Sequence, residues 1–154
     1  MRPIVSGFNS VTVKLSEFVD SFLKRRAQKC SSYIKDTNDF LTKIRDVKDI
    51  SSKSILVTMD VSSLYTNIDQ NEGADACYEN LEQRSKKSIP SSVIRDMIKL
   101  VLQRNIFRFR DKFYTQRKGT CMGTPMEPNY ANLFMDKFER VYLIASTEKL
   151  ENIL

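Results

Sequence analysis

Hydrophobic positions along the chain follow mainly a helical period. Leu15, Phe18, Val19, Phe22 and Leu23 recur at helical spacing within "VKLSEFVDSFLKRRAQ", and Lys24, Arg25 and Arg26 follow where a helix dipole favours cations. "DTNDFLTKIRDV" repeats the pattern more briefly through Phe40, Leu41, Ile44 and Val47. Asp69 with Glu72 reads as an N-cap box, after which Ala74, Cys77, Tyr78 and Leu81 continue a helix. "SKKSIPSS" interrupts as a surface connection, and Pro90 opens a helix through Val93, Ile94, Met97, Ile98, Val101 and Leu102. Past the Gly-rich "KGTCMGTPMEP", Pro128 precedes a last helix whose Leu133, Phe134, Phe138, Val141 and Tyr142 read as a core stripe.

Strand-like patterns are fewer. "SILVTMDV" is the best strand, a short β-branched apolar run bounded by polar residues. "NIFRFRDKFYTQ" alternates Ile106, Arg108 and Arg110 against Phe107 and Phe109, predicting a hairpin that turns at Arg110–Lys112 without the glycine such turns favour. No internal repeat or low-complexity segment is present, so the class is α+β.

Asp60 closes the apolar run. A lone buried carboxylate is costly, so this residue is expected at a strand end, compensated by a metal ion, a helix N-terminus or an arginine. The 154 residues suffice for one modest core or part of a larger one, and 41% hydrophobic content with nine Phe argues for a folded chain. The net charge of +6 is unevenly spread. Between Arg104 and Lys118, six basic residues (Arg104, Arg108, Arg110, Lys112, Arg117, Lys118) face one acid, Asp111. Such a stripe suits a polyanion such as nucleic acid, or is simply a solvated hairpin face.

Cys30, Cys77 and Cys121 are scattered and no histidine occurs, which disfavours a zinc site and removes the usual Ser-His and Cys-His nucleophiles. The odd cysteine count fits a reducing compartment. No apolar run approaches the ~20 residues of a membrane span, and "MRPIVSGFNS" is not a signal peptide. The expected location is therefore intracellular, in nucleus or cytoplasm, with no membrane association and no secretion. Chemistry is left to carboxylates, tyrosines and metal ions.

"LVTMDVSSLYTNI" followed by "FRFRDKFYTQRKGTCMGTPMEPNYANLFMDKFE" resembles the reverse transcriptase domain of Penelope-like retroelements, relatives of telomerase. "RPIVSGFNSVTVKLSEFVDSFL" and "SSYIKDTNDFLTKI" resemble segments that precede the palm in that family. The likeness runs from Arg2 to about Glu139, with its four segments in the family's order. It implies a partial polymerase palm, a ferredoxin-like antiparallel sheet with packed helices, plus remnants of fingers. Residues 1–50 would be the fingers or pre-palm helical segment, 51–145 the partial palm and 146–154 a tail.

Under that resemblance, Asp60 matches the first catalytic aspartate, a ligand of both magnesium ions, and the Val61 carbonyl a further metal ligand. Ser62, Ser63 and Leu64 match the turn whose backbone faces the incoming deoxynucleoside triphosphate. Tyr65 matches the bulky residue that excludes a ribose 2'-hydroxyl. Gly119, Met122, Gly123 and Thr124 match the motif that closes over the nucleotide and template base. Arg2 matches a fingers residue near template or triphosphate. Arg108, Arg110, Arg117 and Lys118 would contact the RNA template and DNA primer. The chemistry suits these residue types: paired magnesium ions activate a primer hydroxyl and stabilise pyrophosphate, and glycines let backbone approach a base pair or phosphate. Each also has an ordinary structural role available, Asp60 as a turn former, Tyr65 as a core residue and the glycines as turn residues.

The chain departs from the family in lacking any Asp-Asp pair, the third motif expected on a later hairpin. Glu127 stands where the family has a small residue beside its proline, and Met122 replaces the glutamine of retroviral enzymes. One carboxylate without its partners cannot compensate two divalent ions. The expectation is a reverse transcriptase palm fragment, inactive alone. The alternatives are a non-catalytic nucleic-acid-binding remnant and a module whose open palm face is covered by a protein partner.

Overall fold

Val19, Leu23 and Ala27 lie on one side of α1 (Val13–Ala27) and are fully buried. They meet Ala74, Cys77 and Leu81 of α4 (Gln70–Glu82), Ile94, Ile98, Val101 and Leu102 of α5 (Ser91–Gln103), and Tyr130, Ala131 and Leu133 of α6 (Glu127–Phe138). The computed structural model describes residues 10–48, 51–55 and 57–144. Within it these four helices pack on one another and form the hydrophobic core. Their periodic apolar faces have no other way to leave water.

Local sequence sets the helix boundaries. The Asp69 carboxylate accepts from the backbone N–H groups of Asn71 and Glu72 and starts α4. Pro90 sits at the N-cap of α5, and Pro128 lies in the first turn of α6, where a missing N–H costs nothing. Asp36 caps α2 (Thr37–Asp46) by accepting from Asp39. No residue of α2 is buried, and Phe40, Leu41 and Ile44 stay exposed. Polar ties lock α1 to the start of α6: Met126 N donates to Ser16 Oγ at 3.1 Å, and Asn129 Nδ2 to Asp20 Oδ1 at 2.7 Å.

The hairpin forms as its alternation predicts. β1 (Ile106–Phe109) pairs antiparallel with β2 (Lys112–Thr115), Phe107 opposite Tyr114 with their rings stacked 5.6 Å apart. Arg110 supplies the turn at φ 53°, a left-handed conformation taken here by a non-glycine residue. Thus the α+β class holds, with a two-stranded antiparallel sheet.

Two expectations are corrected. Residues 57–60 are not a strand, and no ferredoxin-like sheet exists among the described residues. Ile55, Val57 and Met59 are 85%, 68% and 80% exposed. A strand is held by a ladder, and among the described residues the only ladder is that of β1 with β2, with which this segment does not pair. Leu56 lies outside the described residues. The stripe on the last helix is also only partly core. Leu133 is buried, but Phe138 at the end of α6 is exposed, and so are Val141 and Tyr142 in the π-helical turn that follows (Glu139–Ile144), where the angular step of the α-helix is lost.

Candidate functional site

The short helix α3 (Leu64–Asn67) follows Ser63, which takes a left-handed φ of 56°. Local bonds hold this turn. Thr66 N and Oγ1 both donate to Ser63 O, Asn67 Nδ2 donates to Ser62 O at 3.2 Å, and Ile68 N donates to Leu64 O. Ile68 is buried and anchors the turn on the core, with Leu64 and Tyr65 packed beside it.

The glycine segment docks on this turn through backbone. Thr120 N donates to Tyr65 O at 2.7 Å, and Gln70 Nε2 donates to Gly119 O at 2.9 Å. Gln116 Nε2 bridges Lys118 O and Thr120 O. Gly119 has φ 68°, and a Cβ there would stand 2.4 Å from Tyr65 O and 2.6 Å from Thr66 Cα. Only glycine permits that approach. Segments 54 residues apart in sequence, at Tyr65 and Gly119, are thereby joined. Beside the junction lies a cleft of about 360 Å³, lined by Thr66 to Asn71 with Arg117, Lys118 and Gly119.

Glu127 closes the other side of the glycine segment. Its Oε2 accepts from Gly123 N at 2.6 Å, while Oε1 is buried without a hydrogen-bond partner. The residue is 4% exposed, and burial lifts its carboxyl to about 7, against the opposing pull of the Gly123 and Thr124 amides. The Tyr65 hydroxyl is raised first by burial and then by the Glu127 charge. Cys121 is raised first by burial.

The residues singled out in the sequence therefore divide. Tyr65 and Gly119 meet, and Gly123 and Thr124 adjoin them through Glu127. Met122 is half-buried next to them. Ser62, Ser63 and Leu64 form the turn itself. Asp60 and Val61 stand exposed in the segment before it, Asp60 reaching solvent but not at the end of a sheet. No hydrogen bond or ion pair joins Asp60 to the glycine segment. Arg2 lies outside the described residues. Sequence reasoning misses Gln70, Thr120 and Glu127 as residues that build the site; the odd acid beside Pro128 is a signal that could find Glu127.

The basic stripe lies on and after the hairpin. Arg108 donates to Arg110 O and pairs with Asp111 at 3.0 Å, and the Arg110 guanidinium sits over the Phe109 ring. Arg117 and Lys118 reach the cleft beside Gly119. Among the described residues no group of three or more His, Cys, Asp or Glu is placed to hold a metal ion. Asp60 offers one carboxylate where a pair of magnesium ions demands several hard oxygen ligands, so the present donor set does not fit that cofactor. Among the described residues no helix is long and apolar enough to cross a membrane. Comparison with protein-family models, with curated proteins and with solved structures yields no match.

Proposed function

We propose that the chain is a fragment of an RNA-directed DNA polymerase palm that contacts nucleotide and template but does not catalyse alone. The supporting observation is the backbone docking of the Tyr65 turn on Gly119 and Thr120. Two motifs that the reverse transcriptase likeness places around one nucleotide are in contact, and Arg117 and Lys118 line the cleft beside their junction. The two cations, opposed in the same cleft by the Asp69 carboxylate, suit the phosphates of a deoxynucleoside triphosphate or of a template strand. Tyr65 is half-buried and held by packing, which suits an edge that rejects one hydroxyl by steric exclusion.

The lone Asp60 carboxylate and the absence of an Asp-Asp pair leave the isolated chain without the charge to hold two magnesium ions. It should therefore show no primer extension. A chimera in which residues 1–139 replace the equivalent part of a complete reverse transcriptase should extend a DNA primer on RNA. In that chimera Asp60→Asn should abolish extension, and Tyr65→Ala should admit ribonucleotides. Extension that survives Asp60→Asn removes Asp60 from the reacting centre, and unchanged sugar selectivity in Tyr65→Ala removes the gate. The non-catalytic nucleic-acid-binding alternative is favoured if binding through the stripe is strong and unaffected by either substitution.

A further inference from the structure

At the far end of α4 from Gly119, the C-terminal turns of α1 and α4 and the connection into α5 enclose a second cleft, of about 930 Å³. Five cations line it: Arg25, Arg26, Lys29, Arg84 and Lys86. No carboxylate lines it, and none of the five forms an ion pair among the described residues. α4 has 13 residues, so at 1.5 Å per residue this cleft lies about 20 Å from the Gln70–Gly119 contact.

The five cations fall into two sets. Arg26 and Arg84 are fixed by the protein. Arg26 Nε and Nη2 donate to Asn80 Oδ1 at 3.2 and 3.1 Å, and Arg84 donates to Leu81 O, Ile89 O and Ser91 Oγ. Arg25, Lys29 and Lys86 have no side-chain hydrogen bond or ion pair among the described residues. Burial holds the Arg84 guanidinium below its ordinary value, opposed by Glu82 and reinforced by Arg26.

Cations at a helix C-terminus are favourable through the dipole, which accounts for Arg25 and Arg26 in the last turn of α1. It does not account for Lys29 and Lys86, which lie beyond the helix ends, nor for their convergence on one concavity. Gathering like charges without counter-ions builds a positive potential that an anion relieves. The lining selects among anions. Its one aromatic ring, Phe22, is already engaged by the Arg84 guanidinium, 5.5 Å from its centroid, and by the edge-on Phe18 ring at 5.2 Å, which favours phosphate over base contacts. Phe22 is the one large apolar side chain in the lining, little to enter a lipid surface. Repeated phosphates at low chemical specificity match the spread of unpaired cations.

We infer that this cleft is a second, sequence-independent binding site for the phosphodiester backbone of single-stranded nucleic acid. It stands on the cleft's charge and shape and does not rest on the polymerase reading. The fixed pair, Arg26 and Arg84, forms a preorganised floor, while Arg25, Lys29 and Lys86 adjust to the strand.

The test is fluorescence anisotropy of a labelled single-stranded RNA with the full 154-residue chain across a salt series. The variant Arg25→Ser/Lys29→Ser/Lys86→Ser spares the two structural arginines, so it should keep the helical circular dichroism and melting temperature. The slope of log affinity against log salt should flatten by about 2 once three cation–phosphate pairs are removed, at about 0.7 per single-strand phosphate. Single-stranded DNA should show the same flattening. A folded variant with the wild-type slope overturns the site, as does a wild-type chain that binds no RNA. Anionic phospholipid vesicles form the second arm: vesicle binding lost in the variant while RNA binding is kept also overturns it. A parallel variant with Arg108, Arg110, Arg117 and Lys118 changed to alanine separates the two regions. Flattening confined to that variant overturns the cleft, whereas flattening in the cleft variant supports it whatever the stripe does.

Discussion

Glu127→Gln tests whether the carboxyl at the start of α6 is held neutral by its surroundings. Its folded value of about 7 lies above the ordinary 4.5, so the folded chain keeps a proton that the unfolded chain has released. Stability is therefore greatest below about pH 4.5 on this account, declines as pH rises towards 7 and is flat above it. At about 1.4 kcal/mol per pH unit the shift is worth about 3 kcal/mol. Gln imitates the neutral acid and can still accept from Gly123 N through its amide oxygen. Urea denaturation at pH 5 and pH 8 separates the cases. The wild type should be less stable at pH 8 by about 2–3 kcal/mol, while Glu127→Gln should be nearly flat and the more stable protein at pH 8. The absence of histidine keeps other side chains from masking this window. Wild-type stability that rises from pH 5 to pH 7, or a Gln variant with the wild-type slope, would refute the buried neutral carboxyl.

Gly119→Ala should cost about 2–4 kcal/mol in denaturant unfolding. About 1–2 kcal/mol comes from the left-handed backbone, and the rest from the clash with Tyr65 O and the broken Thr120 bond; a change under about 0.5 kcal/mol would show that the segments are not docked. Tyr130→Phe should raise stability by about 1 kcal/mol, because the buried hydroxyl has no partner and Phe keeps the ring. A clear loss of stability in that variant would reveal a hydrogen bond to this hydroxyl.

Elements decided by nearby residues are legible in the sequence. Asp69, Pro90 and Pro128 announce three helices because caps and proline act within one turn. The Tyr65–Gly119 contact is legible only as two motifs whose order suggests a shared site; the bond between Tyr65 O and Thr120 N is tertiary. The basic cleft reads in sequence as ordinary helix-end charge, since Arg26 reveals its partners only once Asn80 and Gln83 fold beside it. Glu127 stands out as an unusual acid, but its burial depends on α6 packing over the glycine segment.

The apolar run before Asp60 shows where local pattern and fold part company. Ile55, Val57, Met59 and Val61 alternate as strand residues do, yet all four are exposed. Strand propensity reflects fit to a pleated, half-buried surface rather than a backbone preference strong enough to act alone. Among the described residues no ladder lies beside it, so Ile55, Val57, Met59 and Val61 gain neither cross-strand bonds nor burial. Val57→Lys and Met59→Lys should therefore leave unfolding free energy within about 0.5 kcal/mol of wild type. The same change at a core position such as Ile98, which is fully buried, should be strongly destabilising because it would enclose an unpaired charge. Amides of residues 57–60 should exchange with solvent far faster than those of α4 and α5. A loss above about 1.5 kcal/mol in either lysine variant, or slow exchange across the run, would mean that the segment is packed in solution. The strand expected from its sequence would then exist after all, with a partner strand still to be located.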